Sequence, residues 1–167
     1  MISGYTHNLS IQILVDLLLK HGIKKAVVSP GTTDLEFIAA LQYNGKFEIY
    51  SSIDERSAAY MACGIAEESG EPVIISCTEA TASRNYFPGL TEAFYRKLPV
   101  IAVTGVHKYS FIGTLYPQVI DRSISPNDIV VFKAQLPVIK DKEDIKQTEL
   151  LVNKALLSAI GNDSGPV

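Results

Sequence analysis

The strongest constraint on this chain is an alternation. Short, nearly continuous apolar runs take turns with segments whose apolar residues recur every three or four positions. The runs are Ala26-Val27-Val28, Pro72 to Cys77 and Pro99 to Thr104. A strand with one wet face alternates apolar and polar residues, whereas a strand buried on both faces does not; the second pattern belongs to parallel sheets covered by helices. Between the runs, Asn8 can cap a helix from about Leu9 to Lys20, with Ile11, Leu14, Val15, Leu18 and Leu19 at helical spacing and His21-Gly22 as its end. Lys25 to Ser29 then reads as a strand stopped by Pro30-Gly31. A helix follows Thr32-Thr33-Asp34 and carries Leu35, Phe37, Ile38 and Leu41 up to Asn44-Gly45.

The second half repeats the theme. Phe47 to Ile53 reads as a buried strand, and Asp54 caps a helix running to about Ser69. Pro72 to Cys77 is a strand, a helix lies within Thr81 to Arg96, and Pro99 to Thr104 is a strand. A loop-rich stretch, Gly105 to Asp128, precedes a strand near Val130 to Ala134 and a last amphipathic helix over roughly Ile145 to Ile160. Short connections and right-handed crossovers then predict a doubly wound, three-layer α/β domain with a mostly parallel central sheet, spanning 1–167.

Bulk properties narrow the function classes. A net charge of −3, with 15 basic residues dispersed along the chain, lacks the basic stripe that nucleic acid requires. The longest apolar runs, Ile11 to Leu19 and Pro99 to Val103, fall short of a membrane span. Met1 to Ser10 has neither the positive start nor the apolar core of a signal peptide. Cys63 and Cys77 have no metal-ligand spacing and read as buried free thiols in a reducing cytoplasm. The expectation is a cytoplasmic protein that binds neither nucleic acid nor membrane and carries no metal ligands of its own.

In doubly wound sheets ligands sit at the carboxyl ends of the strands, so four segments are candidates for chemistry. Ser29-Pro30-Gly31-Thr32-Thr33-Asp34 can present backbone N–H groups to an anion, or can be a tight turn with an N-cap. No G-x-G-x-x-G or Walker A pattern accompanies it. Asp54-Glu55-Arg56 opens a helix, where acids serve as caps or as site carboxylates. Ala58, Ala59, Ala62, Gly64 and Ala66 keep that helix slim, which suits either close packing within the domain or approach by a flat ligand or second backbone. Cys77 to Gly89 is a dense polar set after a strand. Tyr116 to Arg122 mixes polar groups with an apolar pair.

These segments, in this order, resemble the N-terminal, pyrimidine-binding domain of thiamine-diphosphate-dependent enzymes. The likeness rests on Ser29-Pro30-Gly31, Asp54-Glu55-Arg56-Ser57-Ala58-Ala59, Cys77-Thr78 with Thr81-Ala82 and Asn85-Tyr86-Phe87-Pro88, and Gln118-Val119-Ile120-Asp121. It continues through Leu136-Pro137 to Gly165-Pro166-Val167. It is strongest to the menaquinone-pathway succinyl-enolpyruvyl-hydroxycyclohexene-carboxylate synthase and acetolactate synthase-like group.

The resemblance implies a cofactor, thiamine diphosphate, and a catalytic acid, Glu55. In the family that glutamate bonds a ring nitrogen of the aminopyrimidine and promotes ylid formation, while the cofactor carries the hard chemistry. It implies cofactor contacts for Pro30, Gly31, Glu55, Thr78 and Asn85, and a substrate side made by Thr32, Thr33, Glu79 and Gln118. Two departures fall on that substrate side. The menaquinone enzyme has Ser-Arg where this chain has Thr32-Thr33, and the family has Ser-Gly where this chain has Glu79-Ala80.

The family's diphosphate and Mg²⁺ sit on a separate diphosphate-binding domain, whose Gly-Asp-Gly motif is not found here. The implied whole is a decarboxylase or carboligase acting on a 2-oxo acid, a homodimer or tetramer assembled through this domain and inactive without its second domain. The alternatives are a non-catalytic α/β binding module and one subunit of a split two-chain decarboxylase.

Overall fold

The computed structural model describes residues 6–167; the leader-like pattern sought in Met1 to Ser10 falls partly outside them. Four strands form one parallel sheet: β1 (Lys25–Ser29), β2 (Glu48–Ser51), β3 (Val73–Cys77) and β4 (Val100–Thr104), in the order β2-β1-β3-β4. The helices are α1 (Leu9–Lys20), α2 (Leu35–Asn44), α3 (Glu55–Ser69), α4 (Thr81–Asn85), α5 (Phe87–Arg96) and α6 (Lys142–Ile160), with a 3-10 turn at Tyr109–Phe111. One core packs α1, α2 and α6 on the face that carries Ala26, Val28, Ile74 and Ile101. The other packs α3 and α5 against Val27, Val73, Ile75, Cys77 and Val100. Adjacent strand residues point to opposite faces, so a continuous apolar run feeds both cores at once. That is the doubly wound, three-layer arrangement the sequence predicts.

Helix ends follow local chemistry. Asn8 accepts from the N–H groups of Ser10 and Ile11, and Asp54 accepts from that of Ser57. Gly45 and Gly70 close α2 and α3 in the left-handed region, at φ 70° and 67°. The single helix expected between Thr81 and Arg96 is two, because Pro88 near the start of α5 has no N–H to continue a ladder from α4. Asp141, accepting from Glu143 and Asp144, starts α6 three residues before the expected Ile145.

Two expectations need correction. The strand ending before Asp54 is shorter than Phe47 to Ile53 and is an edge strand: Tyr50 is 36% exposed and Ile53 95%. Its apolar residues lack a neighbour on the outer side. The strand expected near Val130 to Ala134 is absent. Ile129 is buried and Phe132 packs on the first core, but Val131 finds one backbone partner, the Pro166 carbonyl at 2.8 Å. Apolar content places the segment against the core, whereas a strand needs a ladder. Pro166-Val167 occupies the intervening place beside β4, with Val167 N–H donating to Val100 and its carbonyl accepting from Ala102.

Candidate functional site

The chain leaves β1 towards β2 through α2 on one face and crosses back to β3 through α3 on the other, so the direction of winding reverses between β1 and β3. The carboxyl ends of these two strands meet there. Gly31 lies so close to Thr78 that a Cβ on Gly31 would stand 2.5 Å from the Thr78 Cβ. The space beside this glycine is thus filled by Thr78. The Thr33 hydroxyl lies 2.6 Å from that of Thr78, reaches the Gly105 carbonyl at 2.9 Å and accepts from the Glu79 N–H at 3.2 Å. Behind this knot Asp34 is 1% exposed, its carboxylate accepting from the Gly31 N–H at 2.8 Å and the Ser76 hydroxyl at 3.0 Å. Burial pushes its pKa up, and the two hydrogen bonds oppose that shift only in part.

The second group of residues stands at the end of β2. Glu55 opens α3, half-buried, and its Oε2 accepts from Nδ2 of the exposed Asn85 at 3.1 Å. Asp54, one residue earlier, turns instead to Ser57, accepting from both its N–H and hydroxyl at 2.7 Å. Those bonds hold the Asp54 carboxyl below its ordinary range. Neighbouring acids therefore have separate tasks: Asp54 caps and Glu55 stays available at the strand end.

The slim face of α3 is resolved by packing inside the domain. Ala58, Ala59, Ala62, Cys63 and Ala66 are buried against β1, β3 and α5, and the Cys63 thiol donates to the Gly89 carbonyl at 3.3 Å. Burial lifts the thiols of Cys63 and Cys77 to about 11 and about 12, so both stay protonated at neutral pH. The exposed face of α3 carries Tyr60 and Met61.

Helix α4 joins the two sides. Asn85 reaches Glu55, whereas Ser83 and Arg84 reach the loop after β4. Arg122 Nη2 donates to Ser83 Oγ at 3.3 Å, and Arg84 donates to the Asp121 and Ile124 carbonyls at 2.8 and 3.0 Å. Glu79, 3% exposed, accepts from Arg122 Nη1 at 2.9 Å and stands 2.7 Å from His107 Nδ1. Glu79, Thr33 and Thr78 thus come together at the β1–β3 junction, and Glu55 and Asn85 at β2. Pro30 and Thr32 are exposed beside the first group. Gln118 stands apart, exposed on the loop with φ 62°.

Sequence reasoning missed Asp34, Ser76, His107 and Arg122 as site-forming residues. Asp34 had a usable signal, a carboxylate next to a Pro-Gly strand end. The partners of Glu79 had none, since Arg122 is 43 residues away.

A cavity of about 580 Å³ runs beside β4 and includes Glu79, His107 and Arg122 in its wall, but not Glu55. Among the described residues no three His, Cys, Asp or Glu side chains gather to hold a metal ion, and no helix is long and apolar enough to cross a membrane.

Comparison with known proteins bears on this arrangement. The chain is 34% identical over 163 residues to the 2-succinyl-5-enolpyruvyl-6-hydroxy-3-cyclohexene-1-carboxylate synthase of Bacteroides thetaiotaomicron, covering 98% of this chain and 29% of that protein. It is 31% identical over 155 residues to the synthase of the same name from Geobacillus kaustophilus, covering 92% and 27%. It thus spans about three tenths of the length of these relatives. The fold matches the thiamine diphosphate-dependent 4-hydroxybenzoylformate decarboxylase of Rhodococcus jostii RHA1 with a TM-score of 0.78 at 22% identity, covering 95% of this chain and 29% of that one. Residues 10–125 match the family described as "Thiamine pyrophosphate enzyme, N-terminal TPP binding domain", and the chain belongs to that family.

Proposed function

We propose that the chain forms the pyrimidine side of the active site in a thiamine-diphosphate-dependent decarboxylase or carboligase acting on a 2-oxo acid, with Glu55 as the catalytic acid. The observation that carries this reading is the Glu55–Asn85 pair, a carboxylate and an amide side by side at a strand end. A flat aminopyrimidine offers a ring nitrogen and an exocyclic amine, and this pair can hold such an edge. When bound, thiamine diphosphate would supply a carbon nucleophile for the oxo group and a cationic thiazolium ring to take up the electrons released when the carboxylate leaves. Glu55 holds the proton at the pyrimidine nitrogen. Asn85 fixes the Glu55 rotamer, and the knot of Pro30, Gly31, Thr33 and Thr78 shapes the floor beside it. We assign Thr32, Thr33 and Glu79 to the substrate side, and Gln118 to it by family likeness alone.

Glu55 is only half-buried here, so the low-dielectric wall that a general acid needs must come from elsewhere. We assign that wall, with the diphosphate and Mg²⁺ ligands, to a second domain, and the chain alone to an inactive part. Exposed Tyr60 and Met61 on α3 and Tyr95 on α5 are apolar enough to support a homodimeric or tetrameric contact. Two buried free thiols suit the cytoplasm.

The test is Glu55→Gln in the full-length protein, followed by proton exchange at the thiazolium carbon. Exchange is expected to slow by about 10² or more, with the thermal midpoint nearly unchanged. Asp54→Ala is the control: lost capping should lower the midpoint and spare exchange. Exchange within a few-fold of wild type in the Gln variant would remove Glu55 from the chemistry.

A further inference from the structure

Glu79 closes an ion cluster at the carboxyl end of β3. One carboxylate oxygen accepts from Arg122 Nη1 at 2.9 Å; the other accepts from the His107 N–H and lies 2.7 Å from His107 Nδ1. Glu79 is 3% exposed, and Arg122 spends its second Nη on Ser83. Lys133, in the same cavity wall, donates to the Ser123 carbonyl at 3.0 Å and the Ser125 hydroxyl at 3.1 Å. Arg84 donates to the carbonyls of Asp121 and Ile124 and lies over the Phe87 ring, 5.0 Å from its centroid. Thr33, after the Pro-Gly turn, is neutral and bonded to Thr78 and Gly105. Lys108 is exposed, where an ion pair contributes little.

We propose that Glu79 determines substrate charge: by occupying Arg122 and His107 it withholds them from a second carboxylate, so the site selects 2-oxo acids whose only carboxylate adjoins the oxo group. This rests on the thiamine-enzyme reading above. Two physical effects drive the selection. A second substrate carboxylate that displaced Glu79 from Arg122 would strip a buried anion of its guanidinium and leave it only His107, which is costly. One that did not displace it would meet the negative charge of Glu79 itself. Glu79 thereby acts as an internal anion already seated in the site.

The experiment measures calorimetric affinities of pyruvate and 2-oxoglutarate for the full-length protein. Wild type should bind 2-oxoglutarate no more tightly than pyruvate. Glu79→Gln frees Arg122 and His107, and should raise the affinity for 2-oxoglutarate relative to pyruvate by about tenfold or more. The double variant Glu79→Gln, Arg122→Gln removes the freed cation and should fall back towards the wild-type ratio. A tenfold preference of wild type for 2-oxoglutarate would overturn the proposal, and needs no variant that folds. A Gln variant with an unchanged ratio would overturn it too, as would failure of both acids to bind either protein. Binding is read without turnover, so failure of the thiamine reading appears separately, as wild-type protein that supports no exchange at the thiazolium carbon.

Discussion

Asn85 donates from Nδ2 to Oε2 of Glu55 across 3.1 Å, joining the last residue of α4 to the first of α3. The bond lies on an exposed rim, where a neutral donor to a carboxylate adds little to folding. Its value is orientational, because Glu55 has rotamers that α3 alone does not choose. Asn85→Ala is accordingly expected to keep stability within about 0.5 kcal/mol. In the full-length protein it should weaken thiamine diphosphate binding by about tenfold. Calorimetry and a thermal melt on the same sample check both halves. A large loss of stability with unchanged cofactor affinity would make Asn85 a structural residue only.

The α3–α5 contact is set by one absent side chain. A Cβ on Gly89 would stand 2.5 Å from the Ala59 Cβ and 3.0 Å from the Ala59 carbonyl carbon. Backbone atoms cannot yield as a flexible side chain does, so the helices must separate. Gly89→Ala should destabilise by about 1–3 kcal/mol despite the better helix propensity of alanine. Ala59→Gly in the same chain removes the nearest clash and should recover part of the loss; a strictly additive pair would show that the two positions do not share the contact.

The fold was legible because the signals that encode it are local. The apolar runs at Ala26 to Val28 and Val73 to Cys77 cannot be half-wet, and Asn8, Asp54, Gly45 and Gly70 announce their helix ends. The segment after Asp128 was misread for a related reason. Ile129 and Phe132 carry the composition of a strand, but a strand also depends on what lies beside it, and Val131 meets a single carbonyl. The site divides in the same way. Position alone marks Asp54 and Glu55 as acids at a helix start after a strand, and the family resemblance is what singles out Glu55. The pairing of Glu79 with His107 and Arg122 joins residues 28 and 43 apart, which no local pattern specifies.

Ala80 sits at φ 64° and ψ −129°, between β3 and α4. Only glycine adopts this region without strain, and an alanine there costs on the order of 1–3 kcal/mol. The position is where the resemblance expects glycine, so the strain accompanies the change to Glu79-Ala80. Ala80→Gly should raise stability by about 1 kcal/mol after the greater flexibility of unfolded glycine is subtracted. Urea denaturation reads the difference directly. A glycine variant less stable than wild type would mean that the Ala80 methyl, 8% exposed overall, contributes more by packing than its backbone loses.

Asp34 supplies the pH test. Its carboxylate is 1% exposed, accepts from Gly31 and Ser76, and is held above its ordinary pKa by burial. A raised folded-state pKa means that the folded chain binds the proton more tightly than the unfolded one. The corresponding stability is complete below the unfolded value, about 3.9, and is lost as pH rises through the folded value. Asparagine at this position keeps an oxygen for the Gly31 N–H and offers an N–H to the Ser76 oxygen, and it does not ionise. Asp34→Asn should therefore match or exceed wild type in denaturant midpoint near pH 7, with its relative advantage shrinking as pH falls towards 4. If the asparagine variant is instead weaker at neutral pH and gains on wild type in acid, the ionised carboxylate is what Gly31 and Ser76 stabilise. The β1–β3 junction would then be held by a buried charge rather than burdened by one.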